Sequence, residues 1–419
     1  MTQAKAKLIS AKSIQDAYFN IKDTVIQTPL QHHAGLSSKY DCNISIKRED
    51  MQIVRSFKIR GAYHKMKLMK KEHGSFKALC ASAGNHAQGF AFACAQLQIQ
   101  GTVYMPNPTP NQKINKVKYF GKEWIDIKLT GDSFDDAFEA AMQEHEATGH
   151  TFIHPFDDLD VIAGQGTIAT EIISQSTEAI DYIFIAVGGG GLLSGVGSYF
   201  KAISPNTKII AVESVGAPAL HKSLEAGRRI TLDSIDTFAD GIAVKSIGGI
   251  CFDTARRIVD DNILVPEGKI CSTILQLYND DAIVVEPAGA ISIAALDYFK
   301  DEIKGKNVCT IICGGNNDIT RTQEIRERAL LYEGKKHYFI INFPQRAGAL
   351  KEFLNVLGPN DDITHFEYTK KHNRERGPAL VGIELRHADD YASLLAKMES
   401  IHIRFEAIND KPLLFDMLV

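Results

Sequence analysis

The hydrophobic pattern alternates between two periods from the start of the chain to about Glu333. Short apolar runs rich in β-branched residues, typical of buried strands, are separated by longer stretches with helical spacing. The predicted strands are Ile44–Lys47, Ala78–Ala81, Thr102–Met105, Trp124–Leu129, Thr151–Ile153, Tyr182–Val187, Lys208–Glu213, Ala282–Val285 and Val308–Ile312. Strands that alternate with helices form βαβ units, so we expect an α/β fold of mainly parallel sheets with helices on both faces.

The pattern changes after a short polar link near Glu333. It then predicts a strand, a helix, two strands, a helix and a strand, which is the βαββαβ order of a ferredoxin-like domain. These elements are His337–Phe343, Ala347–Leu357, Thr364–Thr369, Ala379–Leu385, Asp389–Ser400 and Arg404–Ile408. We therefore expect two domains, at residues 1–334 and 335–419.

Composition and charge exclude several classes of protein. The net charge of −4 gives no electrostatic case for binding nucleic acid or an anionic membrane. Seven cysteines, an odd number without a Cys-x-x-Cys pair, suggest free thiols in a reducing cytosol. The longest uncharged run, Tyr182–Phe200, contains six glycines, so it is interpreted as strand, loop and helix rather than a membrane span. The expected location is the cytoplasm.

A single lysine, Lys58, stands just before a predicted helix in the stretch Arg55–Ala62. Small residues and Phe57 crowd it, so its amine can lose hydration and become a nucleophile. Such an amine can form a Schiff base with an aldehyde, of which pyridoxal phosphate is the commonest in metabolism. On these residues alone an ordinary solvated lysine is the simpler interpretation.

Four consecutive glycines, Gly188–Gly191, follow the predicted strand Tyr182–Val187 and precede a helix that begins near Leu192. Glycines let backbone N–H groups curl around an anion, and a helix N-terminus adds a favourable dipole, so phosphate is the natural ligand. A dinucleotide site is the rival, but the G-x-G-x-x-G register fails because its third glycine would fall on Leu193 or Ser194.

Two further loops follow predicted strands. Ser82–Gly89 is rich in small residues and would present backbone N–H donors at a helix start to a carboxylate. Within it, Asn85 could donate a hydrogen bond to a phenolic oxygen on a cofactor ring. His86 could be a base, although a structural role is favoured for it. Cys313 ends the last strand of the large region; without a clear histidine partner, a nucleophilic role is not favoured.

With these loops assembled, the sequence resembles the fold-type II pyridoxal-phosphate enzymes, and within them the biosynthetic threonine dehydratase (threonine ammonia-lyase) family. The resemblance spans nearly the whole chain. It is carried by the segments Ser56–Ala62, Ser82–His86, Gly188–Gly191 and Glu286–Ala290. It implies two open parallel-sheet α/β subdomains, the smaller at roughly residues 50–155, and a C-terminal ACT-like regulatory domain.

The resemblance also implies residue roles. Lys58 would be the catalytic residue, bonded to the cofactor and able to take the substrate α-proton. The cofactor-binding residues implied are Phe57, Lys58, Asn85, Gly188, Gly189, Gly190, Gly191, Leu192 and Cys313. The substrate-binding residues implied are Ser82, Ala83, Gly84, Asn85 and His86. No metal is expected, because only Glu213 matches a cation ligand of the related racemases and Ala219 stands where their aspartate would be.

The reaction implied by the resemblance is deamination of L-threonine, and less well of L-serine, to a 2-oxoacid and ammonia at the entry to isoleucine biosynthesis. Isoleucine and valine are the implied effectors, and the loop Phe343–Leu350 is their implied site. A dimer or tetramer is expected. Ala83 stands where the racemases have a second serine, so little racemisation is expected.

Three alternatives stay open at this point. The first is a serine-preferring dehydratase or racemase of the same fold. The second is a catalytically silent amino-acid sensor, which intact Lys58 and Asn85 argue against. The third, a nicotinamide-dependent oxidoreductase, is weakened by the failed glycine register.

Overall fold

A computed structural model describes residues 9–368 and 375–419. The chain divides into two compact units, the first containing residues up to 267 and 277–318, the second containing residues 268–276 and 319–419. The family resemblance predicts a division at residue 334, and that boundary stays a prediction.

Ten strands lie in the part of the first unit that the structure describes. They are β1 (Leu30–His32), β2 (Asn43–Arg48), β3 (Ala78–Ala81), β4 (Gly101–Met105), β5 (Ile125–Leu129), β6 (Thr151–Phe152), β7 (Tyr182–Ala186), β8 (Lys208–Ser214), β9 (Asp261–Val265) and β10 (Asn307–Ile312). They form two sheets, of order β1-β2-β10-β7-β8-β9 and β5-β4-β3-β6. Every pairing is parallel except that of β1 with β2. The predicted α/β class with two parallel-sheet subdomains is therefore confirmed.

Among the described residues, twelve α-helices alternate with these strands, and residues 268–276 of the eleventh belong to the second unit. They are α1 (Ala11–Ile21), α2 (Ala34–Tyr40), α3 (Lys58–His73), α4 (Asn85–Leu97), α5 (Asn111–Gly121), α6 (Phe134–Thr148), α7 (Leu159–Gln175), α8 (Gly191–Ile203), α9 (Ala219–Glu225), α10 (Gly249–Ile258), α11 (Glu267–Asp281) and α12 (Pro287–Ala294). Strands such as β3 and β7 are fully or almost fully buried, as expected where helices cover both faces of a parallel sheet.

Three strand assignments are corrected. The run Ala282–Val285 is not a strand: Ala282 ends α11 in a left-handed conformation, and the Ile283 N–H donates to the Leu277 carbonyl. Ile283 and Val285 are buried in the loop that follows this helix terminus rather than paired in a sheet. The short strands β1 and β9 were missed because neither carries a long apolar run.

The second unit has four strands and four further α-helices within residues 319–368 and 375–419. They are α13 (Thr322–Tyr332), β11 (Lys336–Pro344), α14 (Ala349–Leu354), β12 (Asp362–Tyr368), β13 (Arg376–Glu384), α15 (Asp390–Ser400), β14 (Arg404–Ala407) and α16 (Pro412–Leu418). The sheet order β12-β13-β11-β14 is antiparallel throughout, which confirms the ferredoxin-like plan. Only Thr369, the predicted end of a strand, lies outside the described residues. The final helix α16 was not predicted.

The motifs of the first unit follow strands at their carboxyl ends. Ser82–Gly89 follows β3, the glycine run follows β7, and Cys313 follows β10. In parallel sheets these ends meet at one edge, which is where ligands bind.

Candidate active site

Lys58 is the first residue of α3, and the loop before it is tied to the end of β10. Ser56 forms a β-bridge with Gly314, and the Phe57 N–H donates to the Cys313 carbonyl at 3.1 Å. These backbone bonds place Lys58 beside the loop after β10, although the two segments are about 250 residues apart in the chain. The lysine is therefore held by main chain rather than by its own side chain.

The Lys58 amine is partly buried. Its Nζ donates to the Pro155 carbonyl at 3.0 Å and lies 5.3 Å from the centroid of the Phe57 ring. Burial lowers the pKa of Lys58 from 10.5 to about 8, and nearby Cys313, Cys251 and Glu286 only partly oppose that effect. A lysine of this kind supplies neutral amine near physiological pH, which a nucleophile or proton acceptor requires.

A buried ion network anchors the helix that carries Lys58. The Arg60 guanidinium, fully buried, donates to Glu49 Oε2 at 2.8 Å and to Glu171 Oε1 at 2.7 Å. Lys47 Nζ donates to the other oxygen of Glu171 at 2.6 Å. Removing one member of such a network leaves an uncompensated buried charge, so α3 has little freedom to shift. No sequence pattern indicates this anchor beyond the position of Arg60 two residues after Lys58.

The glycine run forms a tight loop into α8, which begins at Gly191. A side chain at Gly189 would place its Cβ 2.3 Å from the Phe156 ring, and one at Gly190 would place it 2.7 Å from the Cys251 Cβ. Gly190 also has φ of +92°, which other residues rarely adopt. Glycine is therefore required in this run because neighbouring side chains approach the backbone closely and because Gly190 has a positive φ. The N–H groups of the run lie at a helix N-terminus, which suits an anion.

The Ser82–His86 turn leads into α4, which begins at Asn85. Ser82 Oγ accepts from the Gly84 N–H at 3.2 Å, and the His86 ring contacts the Ile153 carbonyl through Nε2 at 2.9 Å. Burial lowers the pKa of His86 to about 3, so this histidine is neutral at physiological pH. Its contacts support the structural interpretation rather than that of a base.

Glu286 and Asn85 meet at the centre of the site. Asn85 Nδ2 donates to Glu286 Oε1 at 2.6 Å. Burial and the negative charge of Asp240 raise the pKa of Glu286 to about 7, while Asn85 and Lys113 act in the opposite direction. The sequence showed Glu286 only as part of a family motif and assigned no role to it. Its position directly before Pro287, the start of α12, was the one available signal.

Two adjoining cavities contain all the site residues that the resemblance implies. The larger, of about 290 Å³, is lined by Lys58, Ser82, Ala83, Gly84, Asn85 and His86 among others. The smaller is lined by Phe57, Lys58, Asn85, Gly188, Gly189, Gly190, Gly191, Leu192 and Cys313 among others. Both also contact Phe156, Gly241 and Glu286, which were not predicted. The site residues thus converge on one place, and their individual roles stay proposals.

This arrangement fits a phosphorylated aromatic aldehyde. The glycine loop leaves no room for Cβ atoms but presents backbone donors for a phosphate, and the Lys58 amine lines the same cavity. Cys313 lines its wall, where its Sγ donates to the Ala288 carbonyl at 3.1 Å. The pKa of Cys313 is raised by burial, so it is a thiol rather than a nucleophilic thiolate.

The described residues contain neither a cluster of metal-ligating side chains nor a helix suited to crossing a membrane. Residues 9–368 and 375–419 contain no group of three or more histidine, cysteine, aspartate or glutamate side chains placed to hold a metal ion. No helix in those ranges is both long and apolar enough to cross a membrane.

Comparison with known proteins identifies two matching families. Residues 21–314 match the family described as pyridoxal-phosphate dependent enzyme, and residues 327–418 match the C-terminal regulatory domain of threonine dehydratase. The biosynthetic L-threonine dehydratase IlvA of Bacillus subtilis is 57% identical over 413 residues, covering 98% of each chain. The protein of that name from Lactococcus lactis is 51% identical, covering 98% of this chain and 100% of its own.

Solved structures agree with these matches. The processed form of threonine deaminase isoform 2 from Solanum lycopersicum is 38% identical, with a TM-score of 0.72 over 78% of this chain and 99% of that chain. The serine racemase of Dictyostelium discoideum is 31% identical, with a TM-score of 0.69 over 74% of this chain and 99% of that chain. The chain therefore belongs to the pyridoxal-phosphate-dependent enzymes and, within them, to the biosynthetic threonine dehydratase family with a C-terminal regulatory domain.

Proposed function

We propose that the chain is a threonine ammonia-lyase that converts L-threonine to 2-oxobutyrate and ammonia, the first step of isoleucine biosynthesis. The observation that carries the proposal is the Lys58 amine, with its lowered pKa, in a cavity shared with a tetraglycine loop. High identity to biosynthetic threonine dehydratases over almost the full length supports the choice of substrate.

Pyridoxal phosphate, when bound, supplies an electron sink for the charge that develops at the substrate α-carbon. Lys58 would hold the cofactor covalently, and its amine is the group that would accept the substrate α-proton. The N–H groups of Gly188–Gly191 and Leu192 bind the phosphate, helped by the α8 dipole. Phe57 and Cys313 line the same cavity and would contact the cofactor ring, Cys313 as a neutral partner for the ring nitrogen.

The turn at the start of α4 would orient the substrate. The N–H groups of Ser82–His86 bind the substrate carboxylate at the N-terminus of that helix. Asn85 would donate to the phenolic oxygen of the cofactor. His86, neutral because of its lowered pKa, supports the turn and takes no proton. Ala83 supplies no hydroxyl on the opposite face, which favours loss of the β-hydroxyl over return of a proton from that side.

Substrate choice is tested by kcat/KM for L-threonine and L-serine, together with chiral analysis of the amino acid that remains. We expect a higher kcat/KM for threonine, release of 2-oxobutyrate, and no appreciable D-threonine or D-serine. A higher kcat/KM for serine, or substantial D-amino acid, would favour the serine dehydratase or racemase alternative, for which the likeness to serine racemase is the supporting observation.

The C-terminal unit is proposed to bind isoleucine, with valine opposing it, at the loop Phe343–Leu350. Within that loop, Gln345 Nε2 is buried and has no hydrogen-bond partner among the residues that the structure describes. A buried donor without a partner costs free energy, and the carboxylate of an amino-acid ligand would satisfy it. The neighbouring backbone is fixed by the Gln345 N–H, which donates to the Glu375 carbonyl at 2.9 Å.

The regulatory proposal is tested on the full-length enzyme with Gln345→Leu. We expect isoleucine to inhibit the wild type and to require roughly tenfold higher concentration in the variant, because a buried hydrogen bond to a charged group contributes about 1.5–3 kcal/mol. Gln323→Leu, at an exposed position on α13 of the same unit, is the matched control and should leave inhibition unchanged. Wild-type activity that is insensitive to saturating isoleucine would refute the proposal.

The enzyme is further proposed to be cytoplasmic and homo-oligomeric. All seven cysteines are free, which suits the reducing cytoplasm. We propose a homo-oligomer, either a dimer or a tetramer, with a catalytic domain to residue 334 and an ACT-like domain from residue 335. Light scattering of the purified enzyme measures the assembly directly, and a monomer at micromolar concentration would contradict it.

A further inference from the structure

The side-chain amide of Asn85 is held from both ends. Its Nδ2 donates to Glu286 Oε1 at 2.6 Å, and its Oδ1 accepts from Asn316 Nδ2 at 2.7 Å. An asparagine amide has two donor hydrogens and one acceptor oxygen, and its two ends have nearly the same shape. The hydrogen-bond partners therefore decide which end faces which neighbour.

The orientation of Asn316 is fixed by partners that allow only one arrangement. Its Nδ2 also donates to the Val54 carbonyl at 2.9 Å, and that carbonyl can only accept. Its Oδ1 accepts from Lys116 Nζ at 3.0 Å, and a lysine ammonium can only donate. Rotating the Asn316 amide by half a turn would break both bonds and set like groups against each other. Asn316 must therefore present its second hydrogen to Asn85.

The same reasoning extends to Asn85. With Asn316 presenting a hydrogen, the facing atom of Asn85 must be the acceptor Oδ1, so Nδ2 must face Glu286. One Nδ2 hydrogen is then used by Glu286, and one is left. Because Asn85 lines both cavities, this remaining hydrogen is the donor available to a ligand there.

We infer that Asn316 and Glu286 are positioning residues that fix the amide of Asn85, so that its one free N–H is presented to the phenolic oxygen of the cofactor. The inference rests on the cofactor contact proposed above for Asn85. Without these two neighbours the amide could turn and set its oxygen against the phenolic oxygen, where two acceptors would repel.

Glu286 acts here as an acceptor, and its negative charge is not required. It is buried at the start of α12 with the like charge of Asp240 nearby, an arrangement that disfavours a full carboxylate charge. A glutamine at this position keeps an acceptor oxygen for Asn85, whereas a leucine of similar size does not. The pair Glu286→Gln and Glu286→Leu therefore separates the acceptor role from simple filling of space.

The decisive experiment is a double-mutant cycle on Asn85 and Asn316 that reads cofactor affinity and the visible spectrum of the bound cofactor. We expect Asn85→Ala and Asn316→Ala each to raise the cofactor Kd by about three- to tenfold, the range expected for one well-placed hydrogen bond, and to shift the absorption band. Because Asn316 acts through Asn85, the double variant should bind no more weakly than Asn85→Ala alone.

A matched control lies at the other end of β10. Asn43 Nδ2 donates to Asn307 Oδ1 at 3.0 Å, which is the same kind of amide pair outside both cavities. Asn43→Ala should leave the cofactor Kd and the spectrum unchanged. Glu286→Gln should stay within about threefold of the wild type, and Glu286→Leu should behave like Asn316→Ala. Thermal unfolding of the apoenzymes identifies any variant that fails to fold.

Two results would overturn the inference. One is full additivity of the Asn85 and Asn316 changes, which would mean that Asn316 acts by another route. The other is a folded Asn316→Ala enzyme with wild-type cofactor Kd and spectrum. Neither readout needs threonine, so an enzyme that binds the cofactor but does not deaminate threonine would refute the proposed function and leave this inference standing.

Discussion

The two loops that meet in the active site work by opposite means. The lysine loop, Ser56–Lys58, offers one reactive side chain whose pKa is set by burial. The glycine loop, Gly188–Gly191, offers no side chains. A Cβ added at its second or third position would lie within 3 Å of Phe156 or Cys251, respectively. The first loop depends on what one residue can do, and the second on the absence of side chains.

This difference indicates how each loop fails when it is changed. Replacing Lys58 removes a chemical group while the fold is kept, because the loop is held by backbone bonds to Cys313 and Gly314. Replacing a loop glycine adds atoms where none fit, so that the backbone must move. Chemistry should therefore be lost in the first case and binding geometry in the second.

The largest effect is expected for Lys58→Ala. Removing the amine takes away both the covalent link and the proton acceptor, so we expect threonine deamination to fall by at least about a thousandfold. The circular dichroism spectrum and thermal unfolding of the variant should remain those of the folded protein. A variant that kept more than a tenth of wild-type kcat would contradict the role given to Lys58.

The next effect separates strain from steric exclusion in the glycine loop. Gly190→Ala adds a Cβ 2.7 Å from that of Cys251, whereas Gly227→Ala adds one at φ of +65° with no atom within 4 Å. Gly227→Ala should lower the free energy of unfolding by about 1–2 kcal/mol, the cost of a left-handed alanine, and Gly190→Ala should lower it further because of the added steric contact. Only Gly190→Ala should also raise the cofactor Kd, by at least about tenfold, because the loop must move. Equal Kd values for the two variants, measured by equilibrium titration, would remove the distinction.

A smaller effect concerns pH. Because burial lowers the pKa of Lys58 from 10.5 to about 8, the neutral amine becomes the main form at a pH about 2.5 units lower than for an ordinary lysine. The rate at which apoenzyme bonds to pyridoxal phosphate should rise with pH and level off above about 8. Stopped-flow absorbance measures this rate, and Lys58→Ala gives the background. A rate still rising at pH 10 would show that the amine is not desolvated.

The smallest effect is expected for Cys313→Ser. The thiol donates to the Ala288 carbonyl, and a hydroxyl of similar size could donate either to that carbonyl or, in the role proposed for Cys313, to the ring nitrogen. Activity should stay within about threefold of the wild type, and cofactor affinity should be equal or higher. An inactive but folded variant would remove Cys313 from the cofactor site.

Much of the fold was predictable because local signals and tertiary structure agree. Ser133 and Asp136 have capping-box spacing in the sequence, and the structure forms that box at the start of α6. Ala282–Val285 misled because an apolar run shows burial without showing how it is buried. The short strand β1 follows from pairing with β2 rather than from its own composition, so no local pattern could indicate it.

Only part of the active site was predictable from the sequence. Lys58 and the glycine run carry their chemistry in residue type and order, so motifs reveal them. Glu286, Asn316 and Phe156 act through contacts with segments distant in the chain, such as the bond between Asn85 and Asn316. A sequence shows the residue types but not which of them meet, so this supporting layer required the structure.

The most direct test of the account is to locate the covalent attachment of the cofactor. Holoenzyme saturated with pyridoxal phosphate is reduced with borohydride, digested and examined by peptide mass spectrometry. We expect a single reduced adduct on the peptide that contains Lys58, in a yield that matches the bound cofactor. Cofactor-saturated protein with the adduct on another lysine, or with no adduct, would contradict the account.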